Sequence, residues 1–280
     1  MEKKKLKKRL KEFYQRLSII RKNKNMSSKS ISWLEKDSHK KFHQLIGMIS
    51  FKDASFADIG GADGGFIFQL AREGRLSSGS KATLIDISPY YLALARKKYN
   101  SCFKGDFKFK TIQSDVDDID LKNEFDVVFL RSILEHLYFP GDSLERINKS
   151  MKKNGFLLII TPNRNRLNQI IKKFIPKSLK RNLQIRIGTD SPDVLLLEEK
   201  MNLKEHIHEY SITELKGLLG KHGFKVNKIN YSSVPFIAPS FCDRSPIVYK
   251  IQRAVIGVMN MLKLNNFLGF EYIIIAKKIR

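Results

Sequence analysis

The chain of 280 residues has only two cysteines, Cys102 and Cys242, too few for a disulfide framework or a zinc constellation. A reducing, cytoplasmic setting is therefore the expectation. Long uninterrupted apolar runs are also missing. Charges break the N-terminal segment throughout, so it does not read as a secretory signal, and Lys250 and Arg253 make the apolar stretch at 245–264 a poor membrane span. No internal repeat is visible, and no His/Cys/Asp/Glu spacing points to a metal. Acidic residues are scarce: 28 Asp and Glu stand against 52 Lys and Arg, a formal charge of +24. Such an excess repels itself in a compact state unless an anionic partner offsets it, and nucleic acid and anionic membrane both qualify. The imbalance is local. Residues 1–25 hold eleven Lys and Arg against Glu2 and Glu12, and residues 163–186 hold eight with no acid at all.

What is present begins with Phe56-Ala57-Asp58-Ile59-Gly60-Gly61-Ala62-Asp63-Gly64-Gly65-Phe66. An apolar strand runs into a glycine-rich turn and then into a helix continued by Ile67, Leu70 and Ala71. Glycine at such a turn lets main chain approach a nucleotide-like ligand, and the helix N-terminus offers unpaired N–H groups. The glycines also nearly fit the dinucleotide fingerprint G-x-G-x-x-G through Gly60, Ala62 and Gly65. Yet Asp58 and Asp63 flank the turn, where carboxylates oppose a pyrophosphate and suit a cation. S-adenosylmethionine, a sulfonium with an ammonium and no phosphate, meets that requirement. Asp86 follows Gly64 by twenty-two positions and ends the next strand, where an acid takes ribose hydroxyls. That role serves a dinucleotide and S-adenosylmethionine alike.

Downstream the pattern alternates strand and helix, which predicts a parallel sheet. Strands are expected at Phe56–Ile59, Ala82–Ile85, Phe107–Ile112, Phe125–Leu130, Phe156–Thr161, Phe224–Tyr231 and Phe270–Ala276. Ser88 with Pro89 predicts a capped helix start, Asp142 with Glu145 a variant capping box for a helix ending before Gly155, and Ser211 with Glu214 a capping box stapled by Tyr210 and Leu215. Trp33–Ile49 has helical character, and residues 26–31 look like a linker. Leu6, Leu10, Phe13, Leu17 and Ile20 form one stripe on a basic N-terminal helix that either lies on an anionic bilayer or packs on the domain, the second having the edge. A second amphipathic helix at 245–264 carries Ile247, Val248, Ile251, Ala254, Val255, Val258, Met259 and Leu262. The organisation expected is a basic segment at 1–30 and a domain at 31–280, with insertions 162–208 and 232–268 forming a lid or acceptor region.

Asp58-Ile59-Gly60-Gly61-Ala62-Asp63-Gly64 resembles the D-x-G-x-G-x-G motif of class I S-adenosylmethionine-dependent methyltransferases, with Ala62 for the middle glycine. Phe125–Leu137, Thr161-Pro162-Asn163 and Glu205–Ser211 are similar to later blocks of the ubiquinone-biosynthesis and small-molecule O-methyltransferase type. The resemblance spans about residues 35–231. It implies an α/β, Rossmann-like sheet of seven mostly parallel strands with helices on both faces, the last strand antiparallel. It also implies S-adenosylmethionine held by Asp58, Gly60, Gly61, Ala62, Gly64, Asp86, Ile87, Asp115, Val116 and Arg131, with Asp115 and Val116 at the adenine. His136 is the first candidate for a general base and His206 the second. Glu135 is expected to cap or pair locally. The segment after strand four lacks Asn/Asp-Pro-Pro-Tyr/Phe, which disfavours methylation of a nucleobase amine, and neither cysteine follows strand four or five, which disfavours attack on pyrimidine C5. The expected acceptor is small or lipid-linked and methylated on oxygen, with an anionic membrane surface as a partner and attachment to its inner face. RNA modification or RNA binding through the basic segments is the alternative.

Overall fold

The computed structural model describes residues 2–23, 41–165, 192–203, 207–232, 246–262, 264 and 269–280. The chain runs α1 (Glu2–Asn23), α2 (residues 41–46), β1 (Ser55–Ile59), α3 (Gly65–Arg72), β2 (Lys81–Asp86), α4 (Pro89–Cys102), β3 (Lys108–Gln113), β4 (Phe125–Arg131), α5 (Pro140–Ser150) and β5 (Met151–Pro162). It continues through α6 (Pro192–Met201), α7 (Ile212–Lys221), β6 (Phe224–Tyr231), α8 (Pro246–Met261) and β7 (Glu271–Lys278). One seven-stranded sheet has the order β3-β2-β1-β4-β5-β7-β6. The first five strands pair in parallel, and β7 enters antiparallel between β5 and β6.

Period-two alternation divides the core between the two faces of this sheet. Phe56, Val127, Phe129, Leu158 and Ile275 point to one face, where Phe42, Phe66 and Phe68 from the helices meet them. Ala57, Val128, Leu130, Leu157 and Ile274 point to the other, under Leu144, Ile147, Leu215 and Leu219. Both faces are covered, so the strands read as continuous apolar runs.

Local signals mostly act as expected. Ser88 accepts from Tyr91 N–H at the start of α4, and Ser211 with Glu214 forms the reciprocal capping box of α7. The box expected at Asp142 and Glu145 does not form. Pro140, with φ already fixed for a helix, starts α5 two residues earlier, so Asp142 falls inside the first turn and Glu145 pairs with Lys149 at 2.6 Å. The helix also ends sooner, at Ser150. Residues 152–155, which precede the expected strand, lie within β5, where Asn154 at φ 64° accompanies a shift in register against β4.

The stripe on α1 is covered by its own chain: Leu10, Phe13 and Leu17 are buried with Leu197 and Leu203. The stripe of α8 is not. Ile247, Ile251, Ala254, Val255, Val258 and Leu262 are exposed, and Met259 is buried; the side chain of Val248 is outside those described. The linker at 26–31, residues 33–40 and residues 233–245 of the second insertion lie outside the described residues, as does most of the 162–208 insertion. Among the described residues no helix is long and apolar enough to cross a membrane.

Candidate functional site

At the end of β1 the chain turns sharply through left-handed backbone, with Gly60 at φ 68°, Ala62 at φ 48° and Gly64 at φ 72°. Gly60 N–H donates to Ile85 O at 2.7 Å and fixes the turn to β2. Ala62 pays for its left-handed backbone with about 1 kcal/mol of strain, offset by its N–H donating to Asp86 Oδ2 at 3.0 Å. Gly61 is required for space. A Cβ there would stand 2.5 Å from Asp58 Cγ and 2.7 Å from Leu84 Cδ1, both in the buried core. Gly61→Ala is therefore expected to destabilise the fold by about 2 kcal/mol, the scale of overpacking a filled core. Urea unfolding checks this, and an unchanged midpoint would show that the turn has slack.

The turn opens on a cavity of about 420 Å³ at the carboxyl ends of β1 to β4. Gly60 and Ala62 line it from the turn, Asp86, Ile87, Ser88 and Tyr91 from beyond β2, and Ser114 to Asp117 from beyond β3. Arg131, Ser132, Ile133 and His136 line it from beyond β4. Ser132, at φ 53°, carries further backbone strain here. Of the expected site residues, Gly60, Ala62, Asp86, Ile87, Asp115, Val116, Arg131 and His136 converge on this space. Asp58, Gly61 and Gly64 do not line it; they shape the turn. Asp63 is half-exposed, accepts from Gly65 N–H and faces Lys98 at 3.4 Å. The expectation that Asp63 contributes to a cation site is corrected: its carboxylate turns back to cap its own loop.

Three carboxylates nevertheless line the cavity, those of Asp86, Asp115 and Asp117. Asp86 accepts from Ser88 N–H at 2.8 Å as well as from Ala62, so the two strand ends are tied through it. Burial pushes its pKa up, and these backbone donors pull it back. Asp115 accepts from Asp117 N–H at 3.2 Å and Asp117 accepts from the Ser143 hydroxyl, which fixes both acids on a single 3₁₀ turn. Arg131, the one guanidinium on the lining among the described residues, lies over the Phe66 ring with Cζ 4.3 Å from its centre. Its Nε is 3.8 Å from Asp58 Oδ1, beyond hydrogen-bond reach.

Asp58 is fully buried, and neither carboxylate oxygen has a hydrogen-bond partner among the described residues. Desolvation raises its pKa from 3.8 to about 6, opposed by Arg131 and reinforced by Asp86 and Asp63. The folded state thus holds the Asp58 proton more tightly than the unfolded one, and stability falls as pH rises from 3.8 through about 6. Asp58→Asn is expected to remove that dependence and to stabilise the ligand-free protein at pH 8 by at most roughly 3 kcal/mol. Urea unfolding at pH 5 and pH 8 measures it. A variant less stable than the parent at both values contradicts the account.

His136 reaches the cavity from a 3₁₀ turn, Leu134–His136, which follows the strained Ser132 by one residue. Its neighbour Glu135 points the other way, is buried and accepts from Thr161 Oγ1 at 3.0 Å, while its carbonyl takes the N–H groups of Ile207 and His208. These partners lie on β5 and in the segment before α7, so the residue ties distant parts of the chain together where a cap or pair within its own segment was expected. Tyr210 follows the same segment, and burial, then Glu135 and Glu214, push its hydroxyl up to about 12. His206 lies outside the described residues.

One wall has no counterpart in the site read from the sequence. Leu10, Tyr14 and Leu17 of α1 line the cavity, and Tyr14 donates to His136 O at 3.3 Å with its ring edge-on to the imidazole. Tyr14 stands one turn beyond Leu10, on the flank of the apolar stripe. An aromatic with a polar tip at that position is the signal that this helix meets a partly polar surface.

A family model described as a methyltransferase domain matches residues 50–209. The mitochondrial ubiquinone biosynthesis O-methyltransferase of Schizosaccharomyces pombe is 25% identical over 170 residues, covering 60% of this chain and 59% of that protein. The chain thus spans about six-tenths of the length of the curated relative it matches. Among solved structures, magnesium protoporphyrin IX methyltransferase from Synechocystis PCC 6803, with bound SAH, superposes with a TM-score of 0.59 at 14% identity over 97% of this chain and 99% of that one. A SAM dependent methyltransferase from Aquifex aeolicus gives 0.53 at 16% identity over 94% and 98%. At these identities the structural likeness is one of fold.

Proposed function

The chain belongs to the methyltransferase domain family, and from that premise we propose that it transfers a methyl group from S-adenosylmethionine to an oxygen of a small or lipid-linked acceptor. The observation that carries the cofactor reading is an acidic cavity in a basic protein. Three carboxylates line the space beside the glycine turn of a chain whose net charge is +24. A pyrophosphate would be repelled there, whereas a sulfonium with an ammonium is attracted.

When bound, S-adenosylmethionine supplies an electrophilic methyl on sulfur. The residues divide the remaining work. Asp86 has lone pairs left after its bonds from Ala62 and Ser88 and would accept from ribose hydroxyls, while Asp115 would accept from the adenine amino group and Val116 would offer backbone beside it. Arg131, whose buried Nε has no hydrogen-bond partner among the described residues, suits the carboxylate of the amino-acid tail. Asp58 acts through Arg131 by balancing its charge. The half-buried His136 is placed to take the proton of an acceptor hydroxyl as the oxygen attacks, and holding the reactants together supplies much of the acceleration.

Oxygen as the target draws support from the named activity of the fission-yeast relative. The test is calorimetry with S-adenosylmethionine and with NAD, followed by transfer of labelled methyl to a panel of phenols with and without a polyprenyl tail. Binding of the sulfonium nucleoside and label on a phenolic oxygen are expected. Binding of NAD alone, or label appearing in RNA and in no phenol, overturns the reading.

A further inference from the structure

Helix α8 buries Ile256 and Met259 on one side, while the other side of the segment carries Ile247, Ile251, Val255, Val258, Met261 and Leu262 into solvent. At 3.6 residues per turn these six fall within an arc of about 120°, wider than a single coiled-coil seam. Their exposures are high: Ile247 is 71%, Ile251 54%, Val258 51% and Met261 75% accessible. A face of this kind is covered by something in use. Its border says what. Exposed Lys250 and Arg253 follow the arc on one side, and no Asp or Glu stands between Asp243 and Glu271.

A second copy of the chain is a poor occupant, because two bodies of +24 would bring their basic borders together. Nucleic acid explains Lys250 and Arg253 but not the apolar arc beside them. An anionic bilayer satisfies both parts, taking apolar side chains at the acyl boundary and cations at the headgroups. We propose that the exposed face of α8 is a docking surface for an anionic lipid membrane. This places the membrane contact on α8 and not on the stripe of α1, which is buried against α6 and the cavity. It stands apart from the identity of the acceptor, since docking needs no methyl transfer.

The experiment is co-sedimentation of the full chain, without methyl donor, with vesicles of phosphatidylglycerol and phosphatidylcholine and with vesicles of phosphatidylcholine alone. Binding to the anionic vesicles is expected. Ile251→Glu with Val258→Glu should lower the partition at least roughly tenfold, and Ile251→Ser with Val258→Ser by a smaller factor, without moving the melting temperature, since both positions are exposed. Lys250→Ala with Arg253→Ala should lower it several-fold and flatten its salt dependence. Three results overturn the proposal: no vesicle binding by the parent chain, binding that all these variants retain, or salt-sensitive capture by RNA in place of vesicles. A parent dimer split by Ile251→Glu, with vesicle binding unmoved, assigns the face to a second copy and overturns it equally.

Discussion

Asp86→Ala is expected to weaken S-adenosylmethionine binding by two orders of magnitude or more. The carboxylate joins three parts of the site at once. It accepts from Ala62 N–H at 3.0 Å and Ser88 N–H at 2.8 Å, and it faces the cavity where the ribose would lie. Hydrogen bonds to a charged group contribute about 1.5–3 kcal/mol each, so losing a pair to the ribose diols removes roughly 3 kcal/mol or more, a factor above a hundred in Kd. Two backbone donors, Ser88 buried and Ala62 part-buried, would also lose their partner, and the left-handed Ala62 would lose its compensation. Asp86→Asn separates these effects. It keeps the shape and one backbone bond but sets an amide donor against the other N–H group, so affinity should again fall steeply while stability falls less than in Asp86→Ala. Calorimetric titration reads both variants, and an Asp86→Ala protein that binds within about fivefold of the parent would remove Asp86 from the site.

His136→Ala is expected to lower kcat by roughly a hundredfold while leaving S-adenosylmethionine affinity near the parent value, the scale at which a positioned base contributes. The side chain lines the cavity at the end of a 3₁₀ turn anchored by its own N–H donating to Ile133 O at 2.9 Å. Its loss therefore removes a proton acceptor without loosening the turn. A structural role and a basic one differ in pH dependence. If His136 takes the proton, the defect should shrink as pH rises toward the acceptor's own pKa, about 10 for a phenol, because the hydroxyl then ionises unaided. A defect constant from pH 7 to pH 10 argues that the imidazole only positions the acceptor.

The sheet was legible because its signals are local and repeated. Each buried strand is an apolar run closed by a turn residue, and the order of runs and helical stretches allows few topologies. Six of the seven strands were placed within two residues, whereas β5 began five residues early at Met151, because an irregular pair with β4 extends it through lysines that no hydropathy pattern marks. The helix α5 shows the same limit at smaller scale. Pro140 and Asp142 both signal a helix start, and the residue with a fixed φ prevailed.

The sequence alone determined the glycine turn, the acid ending β2, the run after β4 that carries Arg131 and His136, and the charge imbalance, because each depends on residue type and spacing within one short segment. Only the tertiary structure decided that Asp63 turns away, that Asp58 is sealed behind Arg131, that Tyr14 of α1 walls the cavity, and that α8 and not α1 keeps its apolar face bare. The reason is that burial and pairing belong to what a side chain packs against. Two amphipathic basic helices look alike in sequence until one of them finds a hydrophobic surface of the same chain to cover it.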